Sequence, residues 1–296
     1  MSAIPSRAPR TRRGRHSSLR LLWRRVGYHA AGLALAALFL APLFWSVLVS
    51  FKPQVEARRP PLPPWPVDHF SIENYQSLEQ FGVGIGTYAG NSFTVALATV
   101  ALTVLVSVLA GYGFSRFTFP FKNALFVVII STIMIPFQSI LTPLFLILTR
   151  LGLQNTLTGL VLIYVTLQMP FSIFMMRNTF DAVPKEIEDA ARVDGASTMR
   201  ILWRVMLPLV LPGIATVAIF SFLASWNEFL AALILLSDQS KYTLPVLMSA
   251  VRSGQFGTVD WGAVQSGVAI MMAPCLLIFL LLQRYYIRGL VAGAVK

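Results

Sequence analysis

The side chains that could do chemistry in this chain are gathered in one polar stretch, residues 186–212, which reads EIEDAARVDGASTMRILWRVMLPLVLP. Glu186, Glu188, Asp189 and Asp194 alternate there with Arg192, Arg200 and Arg204. Such groups pair, cap helices and grip a partner. From Glu186 onward, Ile187, Ala190, Ala191 and Asp194 recur at helical spacing, and Glu188 stands four residues before Arg192, which predicts an ion pair on a solvated side. Pro184 suits a first helical turn, where its missing N–H costs nothing. Gly195 accepts a positive φ and ends the helix, and Ser197 is placed to cap the next. That second helix, residues 198–206, carries Ile201, Leu202 and Val205 on one side and Arg200 and Arg204 on the other. The expected object is a helix, a sharp turn and a helix standing off a membrane. Ala190 and Ala191 keep its surface small, so another backbone can come close. It reads as a docking surface for a second protein rather than a plain connector.

Catalytic groups are not found elsewhere. There is no Gly-x-x-x-x-Gly-Lys-Ser/Thr run to cradle phosphate. Gly82-Val83-Gly84-Ile85-Gly86 is glycine-rich but reads as a flexible loop. His16, His29 and His69 do not cluster, and the single Cys275 excludes an intrachain disulfide and a multi-cysteine metal site. The expectation is a chain that is not an enzyme and holds no cofactor or metal of its own.

The elements that must position the polar stretch are apolar. Of 296 residues 56% are hydrophobic and only 12% charged, about half the charged fraction of a soluble domain, and the mean hydropathy is +0.68. The solvent is lipid. The formal charge of +12 lacks the basic-aromatic face that nucleic acid would need; membrane topology places it instead. Hydropathy predicts six spans, at 26–50, 88–115, 123–148, 156–178, 206–236 and 264–286. Residues 1–25 hold eight arginines and no acid, and are expected to be a largely disordered basic cytoplasmic tail. The apolar run that follows is longer than the ~7–15 residues of a secretory signal and long enough for the about 20 residues a span needs. An Arg-rich transit peptide is the remaining, weaker reading. Residues 58–68, RRPPLPPWPVD, read as a stiff extended connection. With both ends inside, eighteen of the 24 Lys and Arg fall on the inner side, as the positive-inside rule requires. The six-span membrane domain is then 26–289, with the polar loop at 184–206 inside it and a short cytoplasmic tail at 290–296.

Polar residues inside or beside the spans, Asn91, Ser92, Gln138, Gln168, Trp226, Asn227 and Glu228, are candidates to line a hydrophilic path, with Ser139, Thr142 and Ser172 beside them. Such side chains also bind neighbouring helices together. Glu228 stands out because a carboxylate in a span is costly; a gate, a contact with a partner and a substrate ligand all fit it. Pro136, Pro143, Pro170, Pro208, Pro212 and Pro274 would kink their helices.

The polar stretch resembles the EAA loop of permease subunits of binding-protein-dependent ABC importers: Asp189-Ala190-Ala191, three residues, Gly195, nine residues, Val205, one residue, Leu207-Pro208, with the Asp194-Gly195-Ala196 core also matching. Asp stands for the usual Glu and Val for the usual Ile, and Glu188 supplies an acid one residue earlier. Asn91-Ser92, Met134-Ile135-Pro136 with Leu141-Thr142-Pro143, Trp226-Asn227-Glu228-Phe229, Asp260-Trp261-Gly262 and the ending from Gln283 to Lys296 are similar to the shorter, six-span, MalG-like permease of carbohydrate importers. The resemblance implies an all-α polytopic membrane protein of the type I ABC importer permease fold, with a cytoplasmic helix–turn–helix coupling loop. It implies a second, MalF-like permease subunit, two ABC ATPases that bind the ATP and Mg, and an extracytoplasmic sugar-binding protein, all in a bacterial-type inner membrane. Glu188, Asp189, Ala190, Ala191, Asp194, Gly195, Ala196, Leu207 and Pro208 would then carry ATPase coupling, Gly195 as the turn, the alanines as the close approach and Asp189 as a polar or helix-end contact. The same branch also takes polyols and glycerol phosphodiesters, and these stay open as cargo. So do two other classes, an ion-driven secondary transporter, which needs buried ionisable relays, and a membrane scaffold that only recruits an ATPase.

Overall fold

The computed structural model describes residues 14–57, 63–255, 257 and 259–294, and of residues 14–24, 282 and 284–294 the backbone alone. Among these residues there are helices and no strand, because a backbone in lipid must satisfy its own polar groups and helices do so locally. In chain order they are α1 (Gly14–Ser50), α2 (Gln54–Ala57), α3 (Glu73–Glu79), α4 (Ile85–Arg116), α5 (Lys122–Ser131), α6 (Phe137–Arg150), α7 (Leu157–Asp181), α8 (Lys185–Val193), α9 (Thr198–Ile201), α10 (Leu207–Asn227), α11 (Leu230–Leu235), α12 (Leu244–Arg252) and α13 (Trp261–Ala294). Residues 1–13, most of the expected disordered tail, residues 58–62 of the proline-rich connection and residues 295–296 lie outside the described residues.

Five runs are long and apolar enough to cross a bilayer: Arg25–Ser50, α4, α7, Thr198–Asn227 and Trp261–Leu281. The expected third span is not one helix. A 3₁₀ turn, Thr132–Met134, joins α5 to Pro136, and the two arms meet at 105°. Chain direction shows that they still make a crossing. At one end of the bundle Asn91, early in α4, donates to the carbonyls of Ser240 and Tyr242, and Asn155, just before α7, accepts from the N–H groups of Ser237 and Asp238. At the other end Arg116, the last residue of α4, donates to the carbonyl of Val183, just past α7. Helices α4 and α7 therefore run the same way, and α5 with α6 must carry the chain back between them. With the bent pair taken as one span there are up to six candidate spans, and the start of α1 and the finish of α13 lie at the end that carries α8.

Two further expectations are corrected. The fifth span does not reach residue 236: α10 stops at Asn227, Glu228 is extended at φ −70° and ψ 131°, and α11 starts afresh. Nor does the second loop helix stand apart. From Thr198 the helix runs unbroken into α10 through a π turn at Leu202–Met206, where the Leu207 N–H reaches back to the Leu202 carbonyl. The wider turn accommodates Pro208, which has no N–H to give to the turn before it. Helix α1 begins at Gly14 and α13 continues to Ala294. Gly82 and Gly84, in the glycine-rich stretch before α4, take φ +61° and +87°.

Packing between spans comes from close fit, since lipid is as apolar as the side chains. A Cβ on Gly111 of α4 would stand 2.5 Å from the Met176 Cβ and 2.9 Å from the Arg177 N of α7. A Cβ on Gly213 of α10 would stand 2.4 Å from the Thr179 Oγ1. Glycine thus lets α4 and α10 lie directly on α7. Asn74 of α3 holds the outer corner, donating to the carbonyls of Ser50 and Lys52 while its own carbonyl accepts from Ser266 of α13.

Candidate functional site

The polar stretch builds α8, a turn and α9 at one end of the bundle. Gly195 makes the turn at φ +77°, and the Ser197 hydroxyl caps α9 by accepting from the Arg200 N–H. The inner face is apolar. Ile201, Leu202 and Met206 are buried with Met176, Phe180, Val108 and Tyr112, and Ala191, Ala196, Val205 and Leu207 pack against them half-buried. Asp189, Ala190, Asp194, Gly195 and Pro208 face outward. So do Ile187, Met199 and Trp203, and Val193 is 88% exposed. The loop therefore presents small and apolar groups beside charges, with nothing among the described residues covering them.

Glu188 departs from expectation. It is not on the solvated side but 2% exposed, pointing into the bundle. One carboxylate oxygen accepts from the Nε of Arg116, and the other accepts from the Tyr112 hydroxyl at 3.1 Å. Arg192 does approach it at 3.6 Å, but its closer partner is Asp189, at 2.8 Å. The Arg116 guanidinium, 4% exposed, also donates to the Val183 carbonyl at 2.7 Å and the Ser115 hydroxyl at 3.2 Å. A buried charge needs such pairing, and the i,i+4 reading could not see it because Arg116 lies 72 residues earlier. The sequence signal was a lone arginine ending an apolar helix with no acid near it.

The path candidates separate into two groups. Asn91, Ser92, Trp226 and Glu228 make hydrogen bonds that hold elements of the chain together. Asn91 grips the segment before α12, and the buried Ser92 hydroxyl accepts from the Leu244 N–H at 2.7 Å, at the start of α12. Trp226 is 1% exposed, donates to the Met271 carbonyl and stacks on Phe222. Glu228, half-buried, accepts from the Tyr164 hydroxyl at 2.6 Å and from the N–H groups of Ala231 and Ala232, so it caps α11. An acid suits that place, where a helix leaves its first N–H groups free. Gln138 and Asn227 are exposed and Gln168 half-exposed. Gln138 follows directly on the 105° break, whose residues from Ser131 to Pro136 are all exposed in this chain. No cluster of metal-ligating side chains occurs among the described residues.

Known proteins resemble this chain in sequence and in fold. Residues 103–291 match the family model described as binding-protein-dependent transport system inner membrane component. The chain is 34% identical over 258 residues, 86% of it and 84% of the relative, to the diacetylchitobiose uptake system permease protein NgcG of Streptomyces coelicolor. It is 31% identical over 266 residues, 89% of it and 94% of the relative, to the trehalose/maltose transport system permease protein MalG of Thermococcus litoralis. A chain from the crystal structure of a bacterial ABC transporter involved in import of the acidic polysaccharide alginate superposes with a TM-score of 0.73 at 23% identity, over 94% of this chain and all of that one.

Proposed function

Because the chain belongs to the family of binding-protein-dependent transport system inner membrane components, we propose that it forms half of the path of an ATP-driven importer whose cargo is a carbohydrate. It is a permease subunit and not an enzyme. The diacetylchitobiose and trehalose/maltose systems of its relatives support a saccharide cargo. A second permease subunit completes the path, two ATPases bind the ATP and Mg, and an external binding protein delivers the sugar. The end that carries α8 is cytoplasmic, since Arg116, Lys122, Arg177, Lys185, Arg192, Arg200 and Arg204 gather there. The chain is then a multi-pass protein of the cytoplasmic membrane.

The observation that carries this reading is the exposed face of α8, Gly195 and α9, anchored inward and open outward. Asp189, Ala190, Asp194 and Gly195 touch the ATPase there, with the outward-facing Pro208 beside them, while Ala191, Ala196 and Leu207 pack the loop against the bundle. For the path, the break between α5 and α6 is the guide. After about 20 Å of helix it lies inside a bilayer core about 30 Å thick. Irregular backbone at that depth is tolerated only against protein or water. The break and Gln138 therefore face the partner permease or the path, with the half-exposed Gln168 and the exposed Asn227, whose amide also donates to the Leu223 carbonyl, as further polar groups open to cargo. Asn91, Ser92, Trp226 and Glu228 keep that wall in shape.

The test is purification of the chain from its native membrane with its companions, followed by uptake in proteoliposomes. An ATPase and a second permease should copurify, and uptake should need ATP and the external receptor. Uptake driven by an ion gradient without ATP would replace this reading with a secondary transporter, and unchanged uptake in cells lacking the chain would leave only a scaffold.

A further inference from the structure

The strongest feature outside the docking face is the buried cluster behind it. We propose that Arg116 and Glu188 form a rigid joint that locks α8 to the end of α4, so that movement of the loop is delivered to α4 and, through it, to α7. This rests on the reading of α8 as the ATPase contact, and it moves Glu188 from the contact surface to a positioning role.

Four observations converge. Both side chains are almost fully buried, at 4% and 2% exposure, so solvent does not loosen the pair. Arg116 ties three pieces together with separate nitrogens: Nε to Glu188 on α8, Nη2 to the Val183 carbonyl between α7 and α8, and Nη1 to Ser115 on α4. A planar fork with fixed donors holds orientation as well as position. Tyr112, one turn earlier on α4, binds the other oxygen of Glu188 and packs edge-on against Phe180 of α7. Among the described residues Arg116 and Glu188 make the one ion pair between α8 and a span; the other pairs lie within a helix or a short loop. Gly111 then seats α4 on the Met176 backbone without a gap. A push on α8 has a short, stiff route into two parallel spans, in addition to the covalent route through α9 and α10.

The test uses the assembled importer in proteoliposomes, with the wild-type complex as the reference. Glu188→Gln and Arg116→Met should keep the ATPases bound but lower the sugar moved per ATP hydrolysed at least tenfold. Arg116→Lys should fall between, having the charge without the fork. In Arg116→Met/Glu188→Met two apolar side chains replace the charges, and thermal stability should return toward wild type while the transport ratio stays low. A wild-type ratio in any of these three charge-removing variants, or a fall in transport only in proportion to lost ATPase, would overturn the proposal. If a variant fails to assemble, hydrogen exchange of the wild-type complex decides. Addition of ATP should change protection of α8 and of the last turn of α4 together, and a change in α8 alone would reject the joint. Failure of the permease reading itself would show separately, as a wild-type chain that neither binds ATPases nor moves sugar.

Discussion

Gly195 holds φ +77°, and a Cβ placed there would meet nothing of its own chain within 4 Å. Its constraint is conformational inside the subunit, and steric only toward a docked partner. The left-handed backbone costs an L-residue about 1–2 kcal/mol, least for Asn. Gly195→Asn should therefore fold and assemble with modest loss of uptake, whereas Gly195→Val should lose most of it, measured as ATP-dependent uptake at equal membrane abundance. Such features are legible from sequence because they are local: the turn at Gly195 and the cap at Ser197 each need only three or four residues. Glu188 shows the opposite case. Its neighbours in sequence include Arg192, while its governing partner lies on another helix, and no spacing rule reaches that far.

Among elements, α4 sets the order. Gly111 and Gly90 are both in this helix, yet only Gly111 is pressed against a neighbour. Gly111→Val should destabilise the detergent-solubilised protein by more than the ~1–3 kcal/mol of ordinary overpacking, since backbone as well as side chain is met. Gly90→Ala should be neutral or stabilising by about 0.5–1 kcal/mol. Paired melting curves check both. The proline-rich connection is held by Glu56, whose carboxylate accepts from the N–H groups of Asp68 at 2.9 Å and Val67 at 3.1 Å. The backbone N–H of Asp68, then that of Val67, holds its pKa below the usual carboxylate value. A lowered folded pKa gives stability that is full above the unfolded value and lost as pH falls through the folded one. Residues 63–68 should thus stay protease-resistant at neutral pH and loosen only below the ordinary carboxylate range, while Glu56→Gln should be loose at pH 7 and insensitive to acid. Element ends were harder to read than elements. Hydropathy runs on past Asn227, so the apolar pattern joins α10 to α11, and only the capping acid at Glu228 marks the stop. Pro136 is visible in the sequence, but so are Pro143, Pro170, Pro212 and Pro274, which sit inside helices without a comparable break.

For the whole molecule, the placement of basic residues and the run of the helices are both consistent with an even number of spans, six if the bent pair is one. The charge rule uses loop composition alone, and the geometry uses the shared direction of α4 and α7. That parity has a plain consequence for anyone labelling the protein in a living cell. A fluorescent protein fused behind α13 should glow on the side that carries α8. A phosphatase that needs its disulfides, and so works only in an oxidising compartment, should be active when inserted near Gly254 and inactive when inserted near Phe121. The opposite pattern would turn the molecule over in its membrane. The expected one makes the two faces of a single chain separate addresses, one for dyes, proteases and antibodies that never enter the cell, the other for those made inside it.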